Sequence, residues 1–119
     1  MEIHPMVAIV DDDASIRRGL KRLLQTQQRH VCTYASAEEF LNRAPTEKVD
    51  IALVDIYLPG LSGIELLKYL ESTGGGPPVI LMTAHGENET ADALLAAGRT
   101  TCLRKPFTLR QLLDAMLTA

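Results

Sequence analysis

The stretch "MVAIVDDDAS", residues 6–15, joins a continuous apolar run to three adjacent carboxylates. Five apolar residues without alternation suit a strand buried on both faces of a sheet, because a half-exposed strand would alternate polar and apolar. Asp11, Asp12 and Asp13 then stand at the strand's carboxyl end, where like charges repel. Two readings fit them. They are the solvated start of a helix, where acids meet the positive end of the helix dipole, or a site for a hard cation such as Mg²⁺, which takes oxygen ligands and offsets the repulsion. The surrounding sequence has to decide.

Outward from this stretch, apolar runs of strand length alternate with segments of helical period. Ile16, Leu20, Leu23 and Leu24 recur on one helical face. "HVCTY" (30–34) reads as a weaker strand, and Ser36 with Glu39 forms a capping box ahead of Phe40 and Leu41. "VDIALVD" (49–55) is a third strand, with Asp50 the one awkward residue at its exposed start; Pro59, Gly60 and Gly63 announce a loop after it. Ile64, Leu66, Leu67 and Leu70 predict a third helix, and "PVILMT" (78–83) a fourth strand. A small-residue helix over roughly 88–97 is closed by Gly98. "TCLR" (101–104) is the fifth strand, and a second capping box, Thr108 with Gln111, opens the last helix. The pattern is (βα)₅, an α/β, doubly wound, parallel five-stranded sheet with helices on both faces.

Composition bounds the function. At 119 residues the chain is one domain, 46% hydrophobic and 23% charged. Its formal net charge of −3 is no electrostatic match for nucleic acid or an anionic membrane. No apolar run approaches the ~18 residues of a membrane span, and "MEIHPM" lacks the basic region and apolar core of a signal peptide. A soluble, cytoplasmic protein is expected. Cys32 and Cys102 form no metal signature and read as two reduced, mostly buried thiols.

In a sheet of this kind, ligands bind beyond the carboxyl ends of the strands. Strand one ends at Asp11 and Asp12, strand three at Asp55, strand four at Thr83, and strand five runs into Lys105 and Pro106. Each has an ordinary explanation alone: Asp55 a turn cap, Thr83 an N-cap, Lys105 a surface lysine. Together they place three carboxylates, a hydroxyl and an ammonium on one rim. There is no Gly-rich phosphate loop of either common type. The rim therefore suits a metal ion and a single phosphoryl group better than a nucleotide.

"IVDDD", "LVDIYLPGLSG", "LMTAHG" and "LRKPF" together resemble the four signature segments of the receiver domain of two-component response regulators. The resemblance runs from about residue 6 to the end, in order and at family spacing. "HGENETADALLAAG" is most similar to receivers that precede a helix-turn-helix DNA-binding domain. It implies a single receiver domain over 1–119, with 1–5 as an N-terminal tail and the output domain absent from this chain. It also implies a flavodoxin-like strand order 2-1-3-4-5.

By the same resemblance Asp55 accepts a phosphoryl group from the phosphohistidine of a sensor histidine kinase. Mg²⁺ is the implied cofactor, held by the carboxylates of Asp12 and Asp55 and the backbone carbonyl of Tyr57, with Asp11 reaching it through water. Asp13 lies outside that shell, so for it the helix-start reading stands. Lys105 and Thr83 would each contact a phosphoryl oxygen, Ala84 would leave room in the phosphate pocket, and Pro106 would position Lys105 through a cis peptide bond. Phosphorylation would shift the surface of the fourth helix, fifth strand and fifth helix to control an output, transcription above all, with homodimerisation as one route. The domain would be no enzyme beyond its own phosphorylation and dephosphorylation. It would bind neither nucleic acid nor membrane directly. Tyr57 and His85, bulky at the two positions flanking the attacking water, imply a phosphorylated state lasting minutes or longer.

Three positions depart from the family's pattern. Cys102 stands where an aromatic usually swings with the threonine, Arg99 follows "AAG" where a small residue is more usual, and "GGGPP" (74–78) makes the loop before strand four pliant. Three other readings compete. An aspartyl-nucleophile phosphatase expects D-x-D and a cap domain, and "VDIYLP" has no second Asp. A pseudo-receiver binding module would have lost an acceptor, metal or lysine position. A flavin carrier would need a phosphate loop and stacking aromatics, and the chain has two Phe, three Tyr and no Trp.

Overall fold

The computed structural model describes residues 6–43, 48–74, 76–83, 92 and 101–118. Five strands, β1 (Met6–Val10), β2 (His30–Tyr34), β3 (Ile51–Asp55), β4 (Val79–Thr83) and β5 (Thr101–Arg104), pair in parallel in the order β2-β1-β3-β4-β5. Four helices are described: α1 (Ala14–Gln25), α2 (Ala37–Arg43), α3 (Gly63–Thr73) and α4 (Leu109–Thr118). The small-residue helix expected over 88–97, with Gly98 and Arg99, lies outside the described residues, so α4 is the fifth helix read from the sequence. No helix among the described residues is long and apolar enough to cross a membrane.

The central strands are apolar without interruption because helices cover both of their faces. Ala8, Val10, Ala52, Val54 and Leu81 pack on one face with Phe40 of α2 and Leu66 and Leu67 of α3. Val7, Ile9, Ile51, Leu53, Ile80 and Met82 pack on the other with Leu20 and Leu24 of α1 and Leu112 of α4. The alternation within each strand is therefore between two dry interfaces, each buried Leu or Ile contributing about 1.5–3 kcal/mol. The edge strands β2 and β5 are only half-buried, which for β2 explains its weaker sequence signal.

Asp50 is where the observed β3 falls short of the run "VDIALVD". It precedes the strand, exposed, and its carboxylate accepts the Met6 N–H at 2.8 Å while its own N–H donates to the Met6 carbonyl at 2.9 Å. A polar residue is needed there because it completes the β1–β3 pairing at its open end.

Candidate functional site

The carboxyl ends of β1, β3, β4 and β5 meet at one rim. Asp11 follows β1 and is fully buried. Asp55 is the last residue of β3, in register with Met82 of β4, and is 8% exposed. Thr83, buried, ends β4. Its carbonyl accepts the Lys105 N–H at 2.7 Å, which carries the β4–β5 pairing one residue further and brings the lysine to the rim. The Lys105–Pro106 peptide bond is cis.

Side chains then converge. Lys105 Nζ donates to Asp11 Oδ2 at 2.6 Å and to Asp55 Oδ2 at 3.1 Å. The Tyr57 N–H donates to Asp55 Oδ1 at 3.0 Å, although the Tyr57 ring itself is about half-exposed. Burial pushes the Asp55 carboxyl above the usual Asp range, against the opposing Tyr57 N–H and Lys105 ammonium. For Lys105, burial disfavours the charged form, yet Asp11 and Asp55 outweigh it and raise its pKa.

Asp11, Asp12 and Asp55 each offer a carboxylate oxygen within 4.8 Å of the others. Among the described residues, three carboxylates against the Lys105 ammonium leave the rim net negative. Asp12 is exposed and makes no hydrogen bond or ion pair to any described residue. Such a donor set fits a small, hard divalent cation, which prefers carboxylates and retains several waters. Asp55 is held at one oxygen by a backbone donor and at the other by an ammonium.

Asp13 takes no part. It is the N-cap of α1, its carboxylate accepting the N–H groups of Ser15 at 2.8 Å and Ile16 at 3.3 Å. The helix-start reading of the opening carboxylates thus holds for Asp13, whereas Asp11 and Asp12 gather with Asp55 in a group able to take a cation. Ala84 and His85 lie outside the described residues.

Two residues that the sequence did not mark as part of the rim also shape the site. Gly63 opens α3 directly against β3, where any Cβ would collide with the Asp55 carbonyl, and its N–H donates to the Ile56 carbonyl at 3.0 Å. Its presence in "GLSG" signals a loop, but close approach is what demands glycine. Arg17, in the first turns of α1, donates from Nη1 to the Asp11 carbonyl at 2.6 Å. No spacing rule marks that contact.

A family model described as the response regulator receiver domain matches residues 7–117. The DNA-binding transcriptional regulator NtrC of Klebsiella pneumoniae is 39% identical over 99 residues, covering 83% of this chain and 21% of NtrC. The transcriptional regulatory protein FixJ of Bradyrhizobium diazoefficiens is 34% identical over 101 residues, covering 85% of this chain and 49% of FixJ. The chain thus spans no more than about half the length of either relative. Among solved structures, the chemotaxis protein CheY4 of Vibrio cholerae is similar with a TM-score of 0.83 at 29% identity, over 97% of this chain and 98% of that one.

Proposed function

The chain belongs to the response regulator receiver domain family, and on that premise we propose that Asp55 is the phosphoryl acceptor of a phosphorylation-switched signalling domain. The donor is the phosphohistidine of a sensor histidine kinase. The observation that carries this reading is the convergence of Asp11, Asp12, Asp55 and Lys105 on one rim.

The cation is Mg²⁺, which when bound supplies the charge neutralisation that a carboxylate needs to approach a dianionic phosphoryl group. Asp12 and Asp55 would hold it with their carboxylates and Tyr57 with its backbone carbonyl, with Asp11 reaching it through a water. The Tyr57 N–H orients the Asp55 carboxylate, leaving its second oxygen facing Lys105. Lys105 exchanges its ion pairs with the carboxylates for one with a phosphoryl oxygen, a role suited to a compact point charge. The Thr83 hydroxyl takes another oxygen. Pro106 fixes the backbone beyond the lysine.

The switch lies in Thr83. Drawn toward the phosphoryl group, it biases strand β5 and α4 between two packings. Transcription is the proposed output, since NtrC and FixJ are transcriptional regulators. The domain acts in the cytoplasm, contacts neither DNA nor membrane itself, and performs only its own phosphorylation and dephosphorylation.

The test is incubation with acetyl phosphate and Mg²⁺. One acid-stable, base-labile phosphoryl group should appear by intact mass, and Asp55→Asn should abolish it. Equal labelling of the Asn variant would refute the assignment.

A further inference from the structure

Only Asp11 and Asp12 separate β1 from the Asp13 cap of α1, and the structure treats them in opposite ways. Every polar atom of Asp11 is held. Its N–H donates to the Tyr34 carbonyl at 3.1 Å, Oδ1 accepts the Asp13 N–H at 2.9 Å, and Oδ2 accepts Lys105 Nζ at 2.6 Å. Its carbonyl, which lies past the last ladder pair of β1, accepts Arg17 Nη1 at 2.6 Å. Asp12, one peptide further on, has a carboxylate with no partner among the described residues.

We infer that Arg17 is a positioning residue for the cation: by gripping the Asp11 carbonyl it fixes the Asp11–Asp12 peptide, and so aims the Asp12 carboxylate before any ion arrives. This role rests on the Mg²⁺ site proposed above. Arg17 is half-buried and anchored by its own N–H, which donates to the Asp13 carbonyl at 3.0 Å as the first hydrogen bond of α1. Its guanidinium therefore ties the helix start to the strand end. A guanidinium ordinarily pairs with a carboxylate within its reach. Among the described residues this one takes a neutral carbonyl and no carboxylate, so it orders the loop without occupying a ligand oxygen that the cation needs. Partners of this kind typically change metal affinity by 10–100-fold when removed.

The sign of the effect separates this role from plain electrostatics. Deleting a cation near a divalent site should tighten binding if charge alone mattered; losing the grip on the peptide should weaken it. Arg17→Met keeps the length and apolar stem without a donor, and Arg17→Lys keeps a donor and the charge. Mg²⁺ dissociation constants would be measured by calorimetry on the unphosphorylated chain, with metal-free melting temperatures alongside and Asp12→Ala as control. The expected result is a dissociation constant raised about tenfold in Arg17→Met and partly restored in Arg17→Lys, with both variants folded. Binding in Arg17→Met as tight as the parent's, or tighter, would overturn the role of Arg17 while leaving the site itself intact. Failure of the parent to bind Mg²⁺, or indifference to Asp12→Ala, would instead overturn the proposed site and Arg17's role with it.

Discussion

The carboxylates of Asp12 and Asp13 are sequence neighbours in different surroundings, one facing the rim and one closing the first turn of α1. Asp13→Ala should therefore lower stability by about 1 kcal/mol, the worth of a lost cap, with Mg²⁺ affinity nearly unchanged. Asp12→Ala should do the reverse, weakening Mg²⁺ binding strongly and stabilising the metal-free fold slightly by relieving repulsion. Parallel denaturant melts and Mg²⁺ titrations check both, and equal affinity losses would mean the cluster is misplaced by one residue. Asp55 adds a pH signature. Burial, the largest influence, raises its pKa above the ordinary Asp value of ~3.9, so its ionised form costs stability at neutral pH, and that cost disappears as pH falls through the raised folded value. Metal-free Asp55→Asn should melt higher than the parent at pH 7, with the gap closing on acidification. A lower-melting Asn variant at pH 7 would show that pairing with Lys105 outweighs desolvation.

Between elements, the start of α3 comes tightly against the end of β3 at Gly63. A methyl at Gly63 has nowhere to go but into the Asp55 backbone. Gly63→Ala should cost about 1–3 kcal/mol, as overpacking does, and should slow acetyl phosphate labelling by displacing Asp55. Unaltered labelling kinetics would mean that β3 does not transmit the shift. The same scale shows what the sequence could and could not convey. β1, β3 and β4 were legible because both of their faces are dry, which makes them continuously apolar. The Thr108–Gln111 box was legible because capping is local, each side chain bonding the other's N–H. At α2 the reading held only in part: Ser36 caps Glu39, but the Glu39 carboxylate reaches the N–H of Ala35. The Ser62–Glu65 box of α3 had the same S-x-x-E spacing in plain view, but the glycines and proline beside it read more strongly as loop. Two contacts were invisible. Glu38 of α2 accepts the Leu61 N–H at 3.0 Å, 23 residues away, and Asp50 reaches Met6 across 44 residues. Nothing in local spacing encodes a hydrogen bond that only the sheet order brings together. The rim itself was legible through its four segments, whereas Arg17 was not, since its partner is a backbone carbonyl.

At the scale of the whole molecule, the sheet order places the two cysteines as far apart as the fold permits. Cys32 lies on β2 and Cys102 on β5, the opposite edges. Four strand spacings of ~4.8 Å separate them by ~19 Å, and a disulfide needs Cα atoms within ~7 Å. Cys32 instead directs its thiol to the Met6 sulfur at 3.4 Å. Cys102 is in register with Leu81 and packs against the same apolar cluster as Val54. Burial, reinforced by Asp92, raises its pKa, so it stays a protonated thiol with little nucleophilic character. It also occupies the place where the family's swinging aromatic would be. A thiol cannot fill and vacate a pocket with the energetic contrast of a ring, which removes ~150–250 Å² from water. Under the proposed switch, output would pass through Thr83 and the backbone of β5, to which Thr83 is joined by the Lys105 N–H. Cys102→Ala should leave phosphorylation rate and any activation-linked dimerisation within about twofold of the parent, since the thiol touches neither the rim nor a moving pocket. Size-exclusion chromatography of the beryllofluoride-activated domain, with and without the substitution, decides it. Loss of activation in the Ala variant alone would make the thiol a moving part of the switch.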